Sequence, residues 1–145
     1  MDRKIYKKKP SICNCLNLRR ASQAITEIYD ESLAPGGLKL GQFSLLKHIK
    51  QQQPINVSDL ALEMRLDRTT LVRNLKPMEE KGLVTDVAVK GTRNRQLKLT
   101  EAGLKAFNEA ELLWVEAQSF IEQYLGKEDL STLTGLLAKI EALRP

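Results

Sequence analysis

The chain has few of the residues from which catalytic and metal sites are usually built. Its 145 residues include one histidine and two cysteines. A single histidine leaves one candidate base for a nucleophilic pair, and a zinc site at Cys13 and Cys15 would need two more ligands where the chain offers only His48. The sequence also has no phosphate-cradling glycine loop and no nucleophile elbow. We therefore expect no enzyme, no metal and no cofactor.

Long apolar runs are also missing. No stretch approaches the roughly 18 apolar residues of a membrane-spanning helix. The basic first ten residues lead into no apolar segment, so they do not resemble a secretory signal. The sequence predicts a cytoplasmic protein with no membrane partner. Its length corresponds to one domain, or to one domain with a dimerisation extension.

The charge that is present is unevenly distributed around a formal net charge of +5. Residues 1–20 carry seven Lys or Arg against one acid, and residues 67–100 carry eight against four. Residues 101–145 reverse this balance, with eight acids against four bases. Basic charge kept in two regions suggests a surface that faces a polyanion. A solvated basic surface without a partner is the alternative, and charge alone does not decide between the two.

Apolar residues recur at helical spacing along most of the chain. This periodicity predicts helices over 16–33, 39–51 and 57–64, a fourth that begins after Asp67, a long one over 101–125, and a last one through Leu130 to Ile140. Asn56, Asp67 and Thr100 have the side chains of N-caps. Pro54 and Gly126 mark ends. The chain is predicted to be mainly helical.

A three-residue turn, Arg65-Leu66-Asp67, separates the third and fourth helices. Helices joined by so short a turn cross steeply, which is the helix-turn-helix arrangement. After Gly82 the pattern alternates, and it predicts strands over 83–89 and 96–99. The polar tip between them holds three cations, Lys90, Arg93 and Arg95. A hairpin with a cationic tip after a helix-turn-helix is typical of a wing.

The fourth helix has one apolar and one polar face. Leu71, Leu75 and Met78 fall together and are predicted to face the core. Thr69, Arg73 and Lys76 lie nearly opposite them, and Arg68, Thr70 and Asn74 flank that polar face. Such a face suits the major groove, where an arginine on guanine is worth about 1–3 kcal/mol of discrimination. The simpler interpretation is the wet face of a packed helix, but the turn, the wing and the acidic remainder favour DNA.

The wing fits the same partner. We expect Arg93 or Arg95 to enter the minor groove, where narrow A·T tracts concentrate negative potential. Lys90 is expected to contact the phosphate backbone. The alternative is a hairpin tip that is polar for solubility.

The helices at both ends have more apolar positions than a small winged helix can cover. We expect them to bury one another across a two-fold axis in a homodimer. The predicted organisation is a basic tail over 1–14, dimerisation helices over 15–36 and 101–145, and a winged helix-turn-helix DNA-binding lobe over 38–100.

Three segments together resemble the MarR family of bacterial transcriptional regulators: NLRRASQAITEIYDESLAPGGLKLGQFSLLKHI, VSDLALEMRLDRTTLVRNLKPMEEKGLV and LKLTEAG. The similarity covers nearly everything from about Cys13 onward. It implies a homodimeric winged-helix protein that binds a palindromic operator in double-stranded DNA, usually a repressor released by a small molecule or by oxidation. By residue match it implies DNA contacts from the recognition-helix residues Arg68, Thr69, Thr70 and Arg73, and a wing contact from Arg93. A winged-helix module that binds protein and not DNA is the alternative.

The chain departs from the family pattern at two places. Many members have glycine in the turn where this chain has Arg65, and a left-handed residue there would cost about 1 kcal/mol or more. Many members also have an acid just before the wing arginine, where this chain has Gly91-Thr92. An acid–arginine pair that orients the wing is therefore expected to be missing.

Two further features have two interpretations each. Cys13 and Cys15 are either reduced thiols at the start of the first helix or a redox sensor, since the nearby lysines and arginines favour the reactive thiolate. The family's hydroperoxide-sensing members, which have a cysteine near the first helix, raise the second interpretation. Tyr29 and Phe43 either border an effector cavity, which the resemblance implies, or belong to the core.

Overall fold

The computed structural model describes residues 8–91 and 94–144, and it shows a mainly helical chain with one hairpin. The helices are α1 (Asn14–Leu33), α2 (Leu40–Gln52), α3 (Val57–Met64), α4 (Arg68–Glu80), α5 (Glu101–Leu125) and α6 (Lys127–Glu141). A short 3₁₀ turn, Ala34–Gly36, joins α1 to α2. Strands β1 (Val84–Asp86) and β2 (Leu97–Leu99) lie between α4 and α5. The predicted fold class, a winged helix-turn-helix with helices from both termini, is confirmed.

Helices α3 and α4 form the helix-turn-helix, and each begins at the cap that the sequence predicts. The Asn56 side chain accepts a hydrogen bond from the Asp59 amide at 2.8 Å, and the Asp67 carboxylate accepts one from the Thr70 amide at 2.7 Å. Between the helices, Arg65 is left-handed, with φ 54° and ψ 42°. The departure from glycine therefore falls on a residue whose backbone conformation glycine adopts at lower cost.

The core lies where α2, α3, α4 and the hairpin meet the first half of α5. Leu71, Leu75 and Met78 of α4 are fully buried, as the helical spacing predicts. They pack with other fully or almost fully buried residues of the lobe, namely Phe43, Leu45, Leu46, Ile49, Leu60, Leu97 and Phe107. Burial of these side chains fixes the rotation of α4, so its opposite face points outward.

The hairpin is shorter than the sequence predicts. β1 and β2 pair antiparallel with Val84 opposite Leu99 and Asp86 opposite Leu97. The ladder ends early because Asp86 accepts hydrogen bonds from the Ala88 amide at 2.9 Å and from the Gln96 amide at 3.0 Å. One backbone bond continues beyond it, from the Val87 amide to the Gln96 carbonyl at 2.7 Å.

The hairpin and α5 meet at a tight junction. Thr100 caps α5 by accepting a hydrogen bond from the Gly103 amide at 2.9 Å, and its hydroxyl donates to the Gly82 carbonyl at 2.6 Å. The Thr100 amide donates to the Leu83 carbonyl at 3.1 Å. A side-chain carbon on Gly103 would lie 2.0 Å from that carbonyl oxygen, so this position accepts no larger residue.

The terminal helices leave a large apolar surface uncovered. α1 packs on α5, and α6 packs on the end of α5, yet none of the α6 residues is buried. Exposed apolar side chains occur on all three helices: Leu16, Leu18, Leu104, Leu112, Val115, Phe120, Tyr124, Leu136, Leu137 and Ile140. Among the described residues, no helix is long and apolar enough to cross a membrane.

Candidate nucleic-acid interface

The outward face of α4 is the first part of the candidate interface. Five of the six residues expected to contact DNA on this helix are exposed: Arg68, Thr69, Arg73, Asn74 and Lys76. Lys76 has only a distant ion pair, 4.0 Å from Glu80 on the same helix. Since the apolar face is buried, this side of α4 has the free donors that a groove-binding helix requires.

The sixth residue, Thr70, is half-buried and holds the helix start together. Its amide and its hydroxyl both donate to the Asp67 carboxylate, at 2.7 and 2.8 Å. These two bonds lower the pKa of Asp67, the amide bond most strongly. Because the Thr70 hydroxyl proton is held by Asp67, this side chain has no donor left for a phosphate, while its methyl group is not engaged by that bond.

Arg73 and Asn74 border a cleft beside the recognition helix. The cleft has a volume of about 320 Å³ and reaches the start of α2, where Lys39 and Gln42 lie on its other side. Pro77, one turn after Arg73, also borders it. A proline lacks the N–H that would bond the Arg73 carbonyl four residues earlier, so the usual helical donor to this carbonyl is missing.

The wing provides the second part of the interface. Lys90 is exposed near the tip, beside Gly91. Arg93, the wing residue that the resemblance implies, lies outside the described residues. Lys90 on the wing and Arg68 and Arg73 on the exposed face of α4 are thus cations that can meet a phosphate backbone.

Arg95, also expected to contact DNA, is engaged within the protein. Its Nη2 lies 2.6 Å from Oε1 of Glu79 on α4, and its Nε lies 3.4 Å from Oδ2 of Asp86 on β1. The side chain is 36% exposed. The hydrogen bond to Glu79 is the main cause that raises the pKa of Arg95. The pKa of Asp86 is lowered, mainly by hydrogen bonds from the Gln96 and Ala88 amides and to a lesser degree by Arg95. An acid–arginine pair is therefore present in the wing, formed by residues other than those of the family pattern.

Glu79 is the residue that sequence reasoning missed. It lies 16 positions before Arg95, and neither helical nor strand spacing relates residues at that separation. A signal in the sequence is the run of charged residues at the end of α4, Glu79-Glu80-Lys81. Because the preceding Met78 is buried, the acid next to it, Glu79, is turned toward the hairpin.

The aromatic residues between α2 and α5 form a layer next to an open cleft. Phe43 stacks on Phe107 with ring centroids 5.3 Å apart, and on Trp114 at 6.0 Å. Lys47 lies over the Trp114 ring, and the cleft of about 400 Å³ beside it includes His48. His48 Nδ1 lies 2.7 Å from the Ser44 carbonyl oxygen, a bond within its own helix. Phe43 is therefore a core residue that also lines the cleft.

Tyr29 belongs to the same region. Its ring lies 6.5 Å from that of Trp114, and its hydroxyl donates to the Gln118 side chain. Burial, and to a lesser degree the charge of Glu122, raise the pKa of Tyr29. This residue ties α1 to α5 and does not line the cleft.

The two cysteines are exposed and unpaired at the start of α1. Cys13 occupies the N-cap position, and its amide donates to the Ser11 hydroxyl at 3.0 Å. Asn17 holds the preceding segment by two hydrogen bonds to the Ser11 backbone, at 2.9 and 2.8 Å. Within residues 8–91 and 94–144, no group of three His, Cys, Asp or Glu side chains is placed to hold a metal ion.

Comparison with known proteins gives consistent matches. The family model described as MarR family matches residues 38–87. The DNA complex of the M. tuberculosis transcriptional regulator MosR is 33% identical, with 92% of this chain and 99% of that chain covered and a TM-score of 0.77. The transcriptional repressor CouR bound to p-coumaroyl-CoA is 24% identical, with 89% and 91% covered and a TM-score of 0.81.

A third structure is the E. coli MarR mutant complexed with operator DNA, 23% identical, with 85% of this chain and 89% of that chain covered and a TM-score of 0.77. The CouR and E. coli MarR structures support the fold. The MosR similarity extends over nearly the whole of both chains.

Proposed function

This chain belongs to the MarR family, and we propose that it is a transcriptional repressor that binds a palindromic operator as a homodimer. The observation that carries the proposal is the exposed polar face of α4, with a cationic wing held beside it. The similar MosR chain was crystallised in complex with DNA. The protein acts by binding and not by catalysis, in the cytoplasm, where its DNA lies.

In this proposal α4 enters the major groove with its N-terminal half. Arg73 reads a guanine, Arg68 and Asn74 flank it, and Thr69 meets phosphate while the Thr70 methyl meets a thymine methyl. Lys76 and Lys90 neutralise phosphates, and Arg93 enters the minor groove. Two recognition helices in a dimer would contact half-sites about 10 base pairs apart.

The dimer is proposed from the uncovered apolar surface of the terminal helices. Burying the exposed residues of α1, α5 and α6 against a second copy removes apolar area from water, at about 25 cal/mol per Å². Domains 15–36 and 101–145 thus remain our assignment for dimerisation, and 38–100 for DNA binding. Residues 1–14 are the basic tail.

The first experiment measures binding of the purified protein to its own upstream DNA at low and moderate salt, with competitor DNA. We expect a specific shift that weakens steeply as salt rises, because bound cations release counterions. Arg73→Ala should lower affinity and relax specificity. Lys50→Ala, at an exposed lysine on α2 outside both the DNA-binding face and the dimerisation helices, should change neither. If neither the upstream DNA nor a genome-wide selection gives a bound fragment, the protein-interaction module becomes the better interpretation.

Release of the operator has two candidate inputs. A small molecule in the cleft beside Trp114 is one, since CouR was crystallised with p-coumaroyl-CoA. Oxidation of the exposed thiols Cys13 and Cys15 is the other. Mild peroxide should then abolish the DNA shift and dithiothreitol should restore it. A Cys13→Ser, Cys15→Ser double variant that still responded would eliminate the second input.

A further inference from the structure

An ion-paired cluster joins the recognition helix to the wing. Glu79 is in the last turn of α4, Asp86 ends β1, and Arg95 comes two residues before β2. Arg95 lies between the two acids, with Nη2 2.6 Å from Glu79 and Nε 3.4 Å from Asp86. Glu79 and Arg95 are each about one-third exposed, so water only partly screens the pair.

We propose that Arg95 is a positioning residue for DNA binding, which fixes the wing against the recognition helix through Glu79 and Asp86 and does not itself contact DNA. The proposal rests on the proposed DNA-binding function. It assigns the DNA contacts of the wing to its other cations, among them Lys90.

The first argument is geometric. The guanidinium uses two different nitrogen atoms for carboxylates on two different elements, α4 and β1. An arginine that bonds two partners through its planar fork is held in one orientation, which a lysine cannot reproduce. The donors that face these two carboxylates are not available to a phosphate unless the guanidinium turns away from them.

The second argument is electrostatic. The cluster contains one positive and two negative charges, so it is net negative when complete. A phosphate that approached Arg95 would come as close to the negative carboxylates of Glu79 and Asp86 as to the guanidinium, and their repulsion is unfavourable. Exposed cations without such partners, such as Lys90, are better placed to bind phosphate.

The third argument is mechanical. The β1–β2 ladder has three residue pairs, and beyond it one backbone bond, from Val87 to Gln96, continues the pairing. Two-stranded hairpins are marginally stable by themselves, and the bridge between Ile55 and Leu97 supports β2 without reaching the arm beyond it. Asp86 accepts hydrogen bonds from the Ala88 and Gln96 amides and from Arg95. Arg95 also pairs with Glu79, so these side chains link the arm of the wing to α4.

The sign of one substitution separates positioning from direct contact. Glu79→Gln removes a negative charge near the DNA-binding face, which by long-range electrostatics alone should raise operator affinity. If Glu79 positions the wing, the same change should lower affinity, by about three- to fivefold given the usual strength of a partly exposed pair. Glu80→Gln is the matched control, because Glu80 is the adjacent acid and contacts only Lys76, 4.0 Å away.

Salt dependence provides the second readout. Arg95→Gln should lower affinity while the slope of log affinity against log salt stays unchanged, because no phosphate contact is lost. Lys90→Gln should reduce that slope by about one. Arg95→Lys, which keeps one of the two ion pairs, should restore part of the affinity. The Glu79→Gln, Arg95→Gln double variant should bind no more weakly than Arg95→Gln alone.

The outcomes distinguish this inference from the function on which it rests. If the wild type shifts no DNA, the proposed function fails. If the wild type binds and Glu79→Gln equals or exceeds it in affinity, Glu79 does not position the wing and the inference is wrong. If Arg95→Gln lowers the salt slope by about one, Arg95 is a phosphate contact and the inference is also wrong. Thermal melting establishes that each variant is folded, and hydrogen exchange at the Val87 amide reports on the pairing of the wing. Faster exchange at Val87 in Glu79→Gln, with an unchanged melting temperature, would support positioning.

Discussion

Replacing Arg65 tests whether the turn of the helix-turn-helix is strained. Arg65 is left-handed, at φ 54° and ψ 42°, and the described residues contain no other non-glycine residue with positive φ. Its side chain is 74% exposed and forms an ion pair with Glu141 near the end of α6. The substitution therefore changes two separable quantities, the backbone energy and one surface ion pair.

The expected change in stability follows from the backbone energy and the ion pair. A left-handed backbone costs an L-residue about 1–2 kcal/mol. Glycine avoids this cost but gives back about 0.4–1 kcal/mol through the greater freedom of its unfolded chain. Arg65→Gly should therefore be more stable than Arg65→Ala by about 0.5–1 kcal/mol, or about 2–3 °C in melting temperature. The exposed ion pair contributes at most about 1 kcal/mol, and both variants lose it equally.

The assay is thermal unfolding followed by circular dichroism at one fixed protein concentration, since a dimer's melting temperature depends on concentration. Glu63, an exposed residue inside α3, is the control position. There the order should reverse, with Glu63→Gly about 1 kcal/mol less stable than Glu63→Ala. Equal melting temperatures for Arg65→Gly and Arg65→Ala would refute the reasoning, because the left-handed backbone would then cost no more than the freedom that glycine adds to the unfolded chain.

Three further predictions concern other parts of the chain. Gly103→Ala should destabilise the protein by about 1–3 kcal/mol or more in a chemical denaturation curve, because its new carbon would lie 2.0 Å from the Leu83 carbonyl; Gly135→Ala, with open space around that carbon, should stabilise α6 by about 0.5–1 kcal/mol. The double variant Leu137→Glu, Ile140→Glu should elute as a monomer in light-scattering chromatography, whereas Leu62→Glu, at an exposed leucine on α3, should stay dimeric; a dimer in both would place the interface elsewhere. The pKa values of Asp67 and Asp86 are lowered in the fold, so the unfolded chain binds more protons in acid and stability should fall as pH drops below about 4. Asp86→Asn should flatten that dependence, and an unchanged pH profile would contradict the assignment.

Much of the fold could be predicted because its determinants are local. The N-caps Asn56, Asp67 and Thr100 act within one turn, and the spacing of Leu71, Leu75 and Met78 sets the buried face of α4. The length of the hairpin could not be predicted in the same way. Its alternation extends to Val89, but the ladder ends at Asp86, whose side chain competes with the strand for the Ala88 and Gln96 amides.

The same distinction between local and tertiary determinants applies to the candidate site. The exposed residues of α4 follow from helical periodicity, so Arg68, Thr69, Arg73, Asn74 and Lys76 were predictable as a face. The partners of Arg95 were not, because Glu79 and Asp86 reach it only through the packing of the hairpin on α4. A cation count cannot distinguish an arginine that binds DNA from one that is neutralised by its own protein.

The tight junction at Gly103 couples the start of α5 to the DNA-binding lobe. The first turn of this helix is bonded to the segment before β1 through Thr100 and lies directly against the Leu83 carbonyl, so we expect a tilt of the helix to be passed to the lobe. α5 has 25 residues, which gives a length of roughly 37 Å. A tilt of about 5° around one end of such a rod displaces the other end by roughly 3 Å. That distance is close to the 3.4 Å rise of one base-pair step. On the proposed assignment of 101–145 to dimerisation, a small angular change there would be enough to move each recognition helix out of register with its half-site.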